Sequence, residues 1–207
     1  PADAVAAVGA APGLYNDATF TCTATATDAD TADTLDVEYA WSNGSTGAET
    51  TLDGSLAPGD TLTCTATISD GTDSVTATVD TVLENRDSDL VDIAISPTAP
   101  TTSTEAVCTA AGEDPDGGAL DIAYAWTDST GTALGSQAAL VLAPSIVQPT
   151  EVLACTATIT DAQGASITAT ATATVENTAP GITSVAITPE TPVSGETVEC
   201  AAVAEDA

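Results

Sequence analysis

The chain has 207 residues, of which 31 are acidic and only one, Arg86, is basic; with no Lys and no His its net charge is −30 at pH 7. Nucleic acid and anionic membrane surfaces are poor partners for such a chain, since neither phosphate neutralisation nor polybasic attraction is available, and cations are its natural counter-species. The missing Lys and His also remove most nucleophile–base arrangements and any Lys–Asn isopeptide crosslink, and no run of about eighteen apolar residues is present to span a bilayer.

The opening segment, PADAVAAVGAAPG, has no initiator Met and is expected to join a repeat after that repeat's first strand. TFTCTATAT then alternates strictly. Phe20, Cys22, Ala24 and Ala26 fall on one face and Thr19, Thr21, Thr23 and Thr25 on the other, the period of a half-buried strand. After the acidic turn ATDAD comes DVEYAW, with Val37, Tyr39 and Trp41 on one side. TLTCTATIS places Leu62, Cys64, Ala66 and Ile68 together, and the Asp70-Gly71 step in SDGTDS marks the turn into VTATVDTV. Asn43-Gly44-Ser45 matches a glycosylation sequon but reads first as a turn. The outward threonines suit an exposed strand face, with O-linked sugar as the alternative use.

Beyond the connector LENRDSD the chain repeats itself. TEAVCTAAGEDPDGGALDIAYAW at 104–126 restates TFTCTATATDADTADTLDVEYAW at 19–41, now with Ile122, Tyr124 and Trp126 on one side of the later strand. EVLACTATIT aligns Leu153, Cys155, Ala157 and Ile159; TDAQGAS and ITATATATV come next, and after VENTAP the segment GETVECAAVAEDA starts a third time. The spacing is 86 residues from Cys22 to Cys108 and 92 from Cys108 to Cys200, so each unit has about ninety residues. The expected repeats are 1–86 without its first strand, 87–178, and 179–207 as the start of a third, together a fragment of a longer array. Units this small, with Phe20, Tyr15, Tyr39, Trp41, Tyr124 and Trp126 as their only aromatics, have thin cores. Short, evenly spaced strands with no helical period predict an all-β chain of two-sheet antiparallel sandwiches. The inward cysteines by themselves leave inter-strand bridges and reduced core thiols both open; a zinc site lacks His and any CxxC.

The order Cys22, Trp41, Cys64, repeated as Cys108, Trp126, Cys155 with the YAW tripeptide and the ATDAD or GEDPDGG loop, resembles tandem bacterial immunoglobulin-like surface repeats of the PKD-like and cadherin-like type. The likeness covers the whole chain. The Trp follows the first Cys by 19 and 18 residues, longer than in antibody domains, because the loop between strands B and C is extended. The resemblance implies an inter-sheet disulfide in each repeat, Cys22 with Cys64 and Cys108 with Cys155, with Trp41, Trp126, Tyr39 and Tyr124 in the core and the partner of Cys200 outside residues 1–207. Bridges of this kind place the chain outside the reducing cytoplasm, extracellular or on a cell surface.

Cadherin-like arrays hold Ca2+ where a connector meets the next B to C loop. By that likeness Glu84, Asn85 and Asp87 would converge on Glu113, Asp114 and Asp116, and Glu176 and Asn177 on Glu205 and Asp206, as candidate hard-oxygen ligands for Ca2+, the one cofactor considered. No catalytic residues are expected: carboxylate pairs alone would serve a glycosidase, but the acids sit in turns with almost no aromatic surface for a sugar. The chain is therefore expected to be a non-enzymatic stalk, spacer or filament segment of a large secreted or surface-attached bacterial protein, serving adhesion or appendage assembly. Its expected partners are neighbouring repeats and copies of itself in a filament. The alternatives are repeats that bind a glycan or protein through their B to C and F to G loops, and accessory repeats of a secreted enzyme.

Overall fold

The computed structural model describes residues 1–30 and 33–206; Thr31 and Ala32 of the expected acidic loop, and Ala207 at the end of the expected third repeat, lie outside the described residues. Fifteen strands and no helix are formed among them. By compactness the chain divides into two units: Pro1–Asp89 with Glu113–Leu120 and Asp161–Ala165, and Leu90–Gly112 with Asp121–Thr160 and Ser166–Ala207.

In the first unit, β1 (Ala2–Ala11), β2 (Thr19–Thr27) and β4 (Glu49–Thr51) form one sheet in the order β1-β2-β4. The other sheet is β3 (Asp36–Trp41), β5 (Thr61–Ser69) and β6 (Ser74–Val82), in the order β3-β5-β6. Alternation dictates the two layers. On β2 the even positions Phe20 and Cys22 are buried while every Thr is exposed, and on β5 Leu62, Cys64, Ala66 and Ile68 are buried. The bridge Cys22–Cys64 runs from β2 to β5 and so joins the two sheets, with 6.5 Å between Cα atoms. Trp41 lies directly across from Cys64 on the neighbouring strand and is 4% exposed, and its indole N–H donates to the Gly47 carbonyl at 2.9 Å. An indole buried with its one donor satisfied contributes packing without a polar penalty.

The second unit repeats this plan. β7 (Asp89–Ser96), β8 (Glu105–Glu113) and β11 (Ala139–Val141) are ordered β11-β8-β7, facing β9 (Asp121–Thr127), β10 (Ala133–Gly135), β12 (Val152–Thr160) and β13 (Ser166–Thr174) in the order β10-β9-β12-β13. Cys108 on β8 is bonded to Cys155 on β12, again across the sheets. Trp126 faces Cys155 in register, is fully buried, and donates to the Gln137 carbonyl at 2.8 Å. Tyr39 and Tyr124 are half-buried and pack against the two cores. Strand order A-B-E against C-F-G, or C′-C-F-G, with a Cys–Trp–Cys centre, is the immunoglobulin-like sandwich. β14 (Gly181–Thr188) and β15 (Glu199–Glu205) form a separate two-stranded antiparallel pair.

One sequence expectation needs correction here. The first repeat does not lack its first strand, because the opening segment forms it: β1 pairs with β2 through Val8 with Cys22 and Ala10 with Phe20. It takes the place that β7 and β14 take in their repeats, and each of the three strands ends at a cis X-Pro bond, Ala11-Pro12, Ser96-Pro97 and Thr188-Pro189. Small Ala at most inward positions and the lack of Thr alternation conceal its period. Val37 shares the side of Tyr39 and Trp41, as expected, opposite Ile68, Ala66 and Cys64 in register, but is 37% exposed.

The repeats also expose a local fault. Pro58-Gly59-Asp60 and Pro149-Thr150-Glu151 occupy the same turn, for Gly59 and Thr150 donate their N–H groups to Leu83 and Val175, whose own N–H groups bond Asp60 and Glu151. Both residues are in the left-handed region, at φ 89° and 75°. Gly tolerates that without cost, whereas a β-branched L-residue loses about 1–2 kcal/mol there, partly offset by the roughly 0.5–1 kcal/mol of extra chain entropy Gly gives up. Thr150→Gly is therefore expected to stabilise the second unit by about 0.5–1 kcal/mol and Gly59→Thr to weaken the first. Thermal melts of the two variants check this, and a Thr150→Gly variant that melts lower than the parent contradicts it.

Candidate functional site

The connector after β6 begins with a buried residue, Leu83, whose neighbour Glu84 donates its backbone N–H to the Leu14 carbonyl at 2.7 Å. The chain is thus fixed up to Glu84. The next two residues reach loops that belong to the same compact unit, 113–120 and 161–165.

Arg86, the chain's one basic side chain, is the centre of this arrangement. Its backbone N–H and its Nε both donate to Asp116, to Oδ2 at 2.5 Å and to Oδ1 at 2.8 Å. Nη2 donates to the Pro115 carbonyl at 2.8 Å and to Asn16 Oδ1 at 3.4 Å, Nη1 reaches Asp17 at 3.2 Å, and the guanidinium lies 4.8 Å from the Tyr15 ring centroid. Asn16, itself buried, donates to the Asp116 carbonyl at 2.6 Å. The Asp116 side chain is 1% exposed, and its two oxygens are met by one guanidinium N–H of Arg86 and by the backbone N–H of the same residue.

The loop shape follows from its sequence. Asp114 Oδ1 accepts the Asp116 N–H at 2.9 Å, and its carbonyl accepts from Gly117, whose φ of 74° lets the chain turn back. A second arm runs from Asn85, whose amide donates to Asp161 Oδ2 at 2.9 Å, while Asp161 Oδ1 accepts the N–H groups of Gln163 and Ala165 at 2.9 and 2.8 Å. The Asn85 amide, followed by the backbone N–H groups of Ala165, Gln163 and Gly164, holds the Asp161 carboxyl below the ordinary aspartate value.

The expected calcium ligands are distributed differently. Glu84, Asp87 and Glu113 are exposed or half-buried at the surface, as are Glu176, Asn177, Glu205 and Asp206. Asn177 donates to the Thr178 carbonyl. Asn85 and Asp116 are drawn in, each to another partner: Asn85 to Asp161 and Asp116 to Arg86. Among the described residues no three His, Cys, Asp or Glu side chains are grouped to hold a metal ion. As placed, this donor set does not fit the six to eight oxygens of a calcium cage, because both Asp116 oxygens are already engaged by Arg86. Sequence reading missed Arg86, Tyr15, Asn16, Asp17 and Asp161. The available signal was the position of the only cation inside an acidic connector.

The open cleft of about 570 Å3 beside β3 is lined by Val37, Glu38, Tyr39, Thr46, Gly47 and Ala48, a single carboxylate among small and neutral groups.

No protein-family model and no curated protein matches the chain. Among solved structures it is similar to a tetra-tandem repeat in the extending region of a large adhesion protein, at 16% identity and TM-score 0.39, covering 99% of this chain and 65% of that one. It is also similar to three N-terminal domains of the highly immunogenic outer capsid protein Hoc of bacteriophage RB49, at 12% identity and TM-score 0.35 over 99% and 69% of the two chains. A third likeness is to extracellular cadherin domains 3–6 of protocadherin gamma B2, at 15% identity and TM-score 0.31 over 99% and 62%. The chain spans less than two thirds of the adhesion-protein and protocadherin segments. At TM-scores of 0.31–0.39 these likenesses carry no argument, and the immunoglobulin-like assignment rests on strand order, the Cys–Trp register and the two bridges.

Proposed function

We propose that the chain is a non-enzymatic mechanical spacer segment of an extracellular or surface-attached protein, part of a stalk or filament. The observation that carries this reading is the repetition, along one chain, of the same sandwich with the same bridge from its B strand to its F strand. Disulfides persist in oxidising compartments. A bridge between the two layers also limits how far a pulled unit can lengthen, since the residues between the cysteines are shielded from force. The excess of 31 acids over one base keeps copies of such a chain soluble and mutually repelling.

Single-molecule stretching tests the reading directly. With bridges intact, each unit should unravel only outside its cysteine loop. Reduction should then add roughly 14 nm for the 42-residue separation and roughly 16 nm for the 47-residue one, at about 3.4 Å per residue. Equal extension with and without reductant would refute the extension-limiting role.

A further inference from the structure

β3 is the outermost strand of its sheet, and part of its open side carries no chain. Its register with β5 and the bond from the Ser42 N–H to the Thr63 carbonyl turn the backbone groups of Asp36, Glu38 and Ala40 toward β5, and those of Val37, Tyr39 and Trp41 away from it. On the open side the chain meets only the end of the strand: Trp41 donates to the Ser45 carbonyl, Gly47 donates to the Tyr39 carbonyl, and Ala40 bridges Thr46. The Val37 N–H and carbonyl and the Tyr39 N–H are left without a partner among the described residues. In the second unit the matching strand is not outermost, because β10 lies against Trp126 and Thr127. The open cleft of about 570 Å3 lies at these same unpaired groups, lined by Val37, Glu38 and Tyr39 of β3 and by the crossing segment Thr46, Gly47 and Ala48.

A sheet edge with free ladder groups beside a cleft is a template for an extended chain. The side chains of β3 say which chain. Asp36 and Glu38 are exposed and share the outer face with Ser69 and Thr67, their partners in register, whereas Val37 and half-buried Tyr39 lie on the face of Ile68 and Ala66. A strand added here sets every second residue beside a carboxylate and the residues between them beside Val37, Tyr39 and Ala48. The same edge of a second copy is a poor match, since it brings Asp36 and Glu38 against the same two acids, and a net charge of −30 repels another copy at a distance. We infer that the β3 edge binds an extended segment of a cationic partner protein, in which Lys or Arg alternates with apolar residues, as an added strand of the β3-β5-β6 sheet. The backbone of that segment bonds Val37 and Tyr39 and supplies the hold, while its basic side chains meet Asp36 and Glu38 and select the partner.

The test uses the full chain and the peptide acetyl-KVKVKVK-amide at about 0.15 M salt, where exposed charges more than about 8 Å apart are largely screened. With the peptide at saturation the amides of Val37 and Tyr39 should exchange at least ~10-fold more slowly, and the Glu38 amide, which already faces β5, should change by less than ~2-fold. That alternation separates an added strand from loose attraction to an acidic surface. Val37→Pro removes an N–H that faces the cleft, a change edge strands tolerate, and should weaken binding at least ~10-fold with the β5 ladder intact. Asp36→Lys/Glu38→Lys leaves every backbone group in place and should invert the preference, so that acetyl-EVEVEVE-amide binds at least ~10-fold more tightly than it does to the parent and the basic peptide is lost. Unchanged exchange at 37 and 39 overturns the inference, as does equal binding of the scrambled acetyl-KKVVVKK-amide or undiminished binding to Val37→Pro. Protection of 37 and 39 that rises with the concentration of the chain alone also overturns it, by assigning the edge to a second copy.

Discussion

The double variant Cys22→Ala/Cys64→Ala is expected to lose about 4 kcal/mol of stability in the first unit, from the entropy of the 42-residue loop that the bridge removes from the unfolded chain. Both sulfurs are buried, at 1% and 0% exposure, so their removal adds a cavity cost on top. Domains of this size have only about 5–15 kcal/mol in total, and the first unit's core is a cluster of eight buried residues, two of which are these cysteines. The expected fall in melting temperature is roughly 15–30 °C. The double variant is the right one, because either single change leaves a thiol free to mispair with exposed Cys200. The second unit keeps Cys108–Cys155 and serves as an internal reference in the same calorimetric scan. A first-unit transition that moves by less than about 3 °C would show that the apolar layers hold without the bridge.

How much of this is legible in the sequence depends on what each feature is made of. The strands with an alternating Thr face are plain, since a period of two with apolar residues on one side and Thr on the other reads as a half-buried strand; β2, β5, β12 and β13 follow it closely. The Cys–Trp–Cys order locates the bridge through its resemblance to immunoglobulin-like repeats, in which those residues meet at the centre of the sandwich. β1 is hidden because Ala has no strong preference for a strand and little area to bury, so only Val5 and Val8 mark it. The site is legible in place but not in chemistry. Connector 83–89 does reach the loop at 113–120 inside the first unit, yet counting carboxylates points to an ion where Arg86 supplies the charge. One cation among 31 acids is easily dismissed by composition, although it is the side chain that pairs with Asp116 and Asp17.

Arg86→Ala is expected to cost the first unit about 3 kcal/mol, because removing one partner leaves Asp116 charged, 1% exposed and unmatched. The loss should exceed that of Asp17→Ala, whose carboxylate is 57% exposed and whose ion pair is worth under about 1 kcal/mol. Arg86→Lys should recover less than half, since an ammonium cannot span Asp116 Oδ1, the Pro115 carbonyl and Asn16 Oδ1 at once. The backbone N–H to Asp116 survives every substitution at position 86 except proline, which sets a floor under the effect. A double variant, Arg86→Met with Asp116→Leu, should be less destabilised than Arg86→Ala alone, because the penalty comes from an orphaned charge and vanishes when both charges go. Chemical denaturation of the four variants, followed by exchange of amides 113–120, decides the matter. If Arg86→Ala unfolds within 0.5 kcal/mol of the parent, on the order of the scatter for surface changes, the guanidinium is an ornament of the loop and not what holds it.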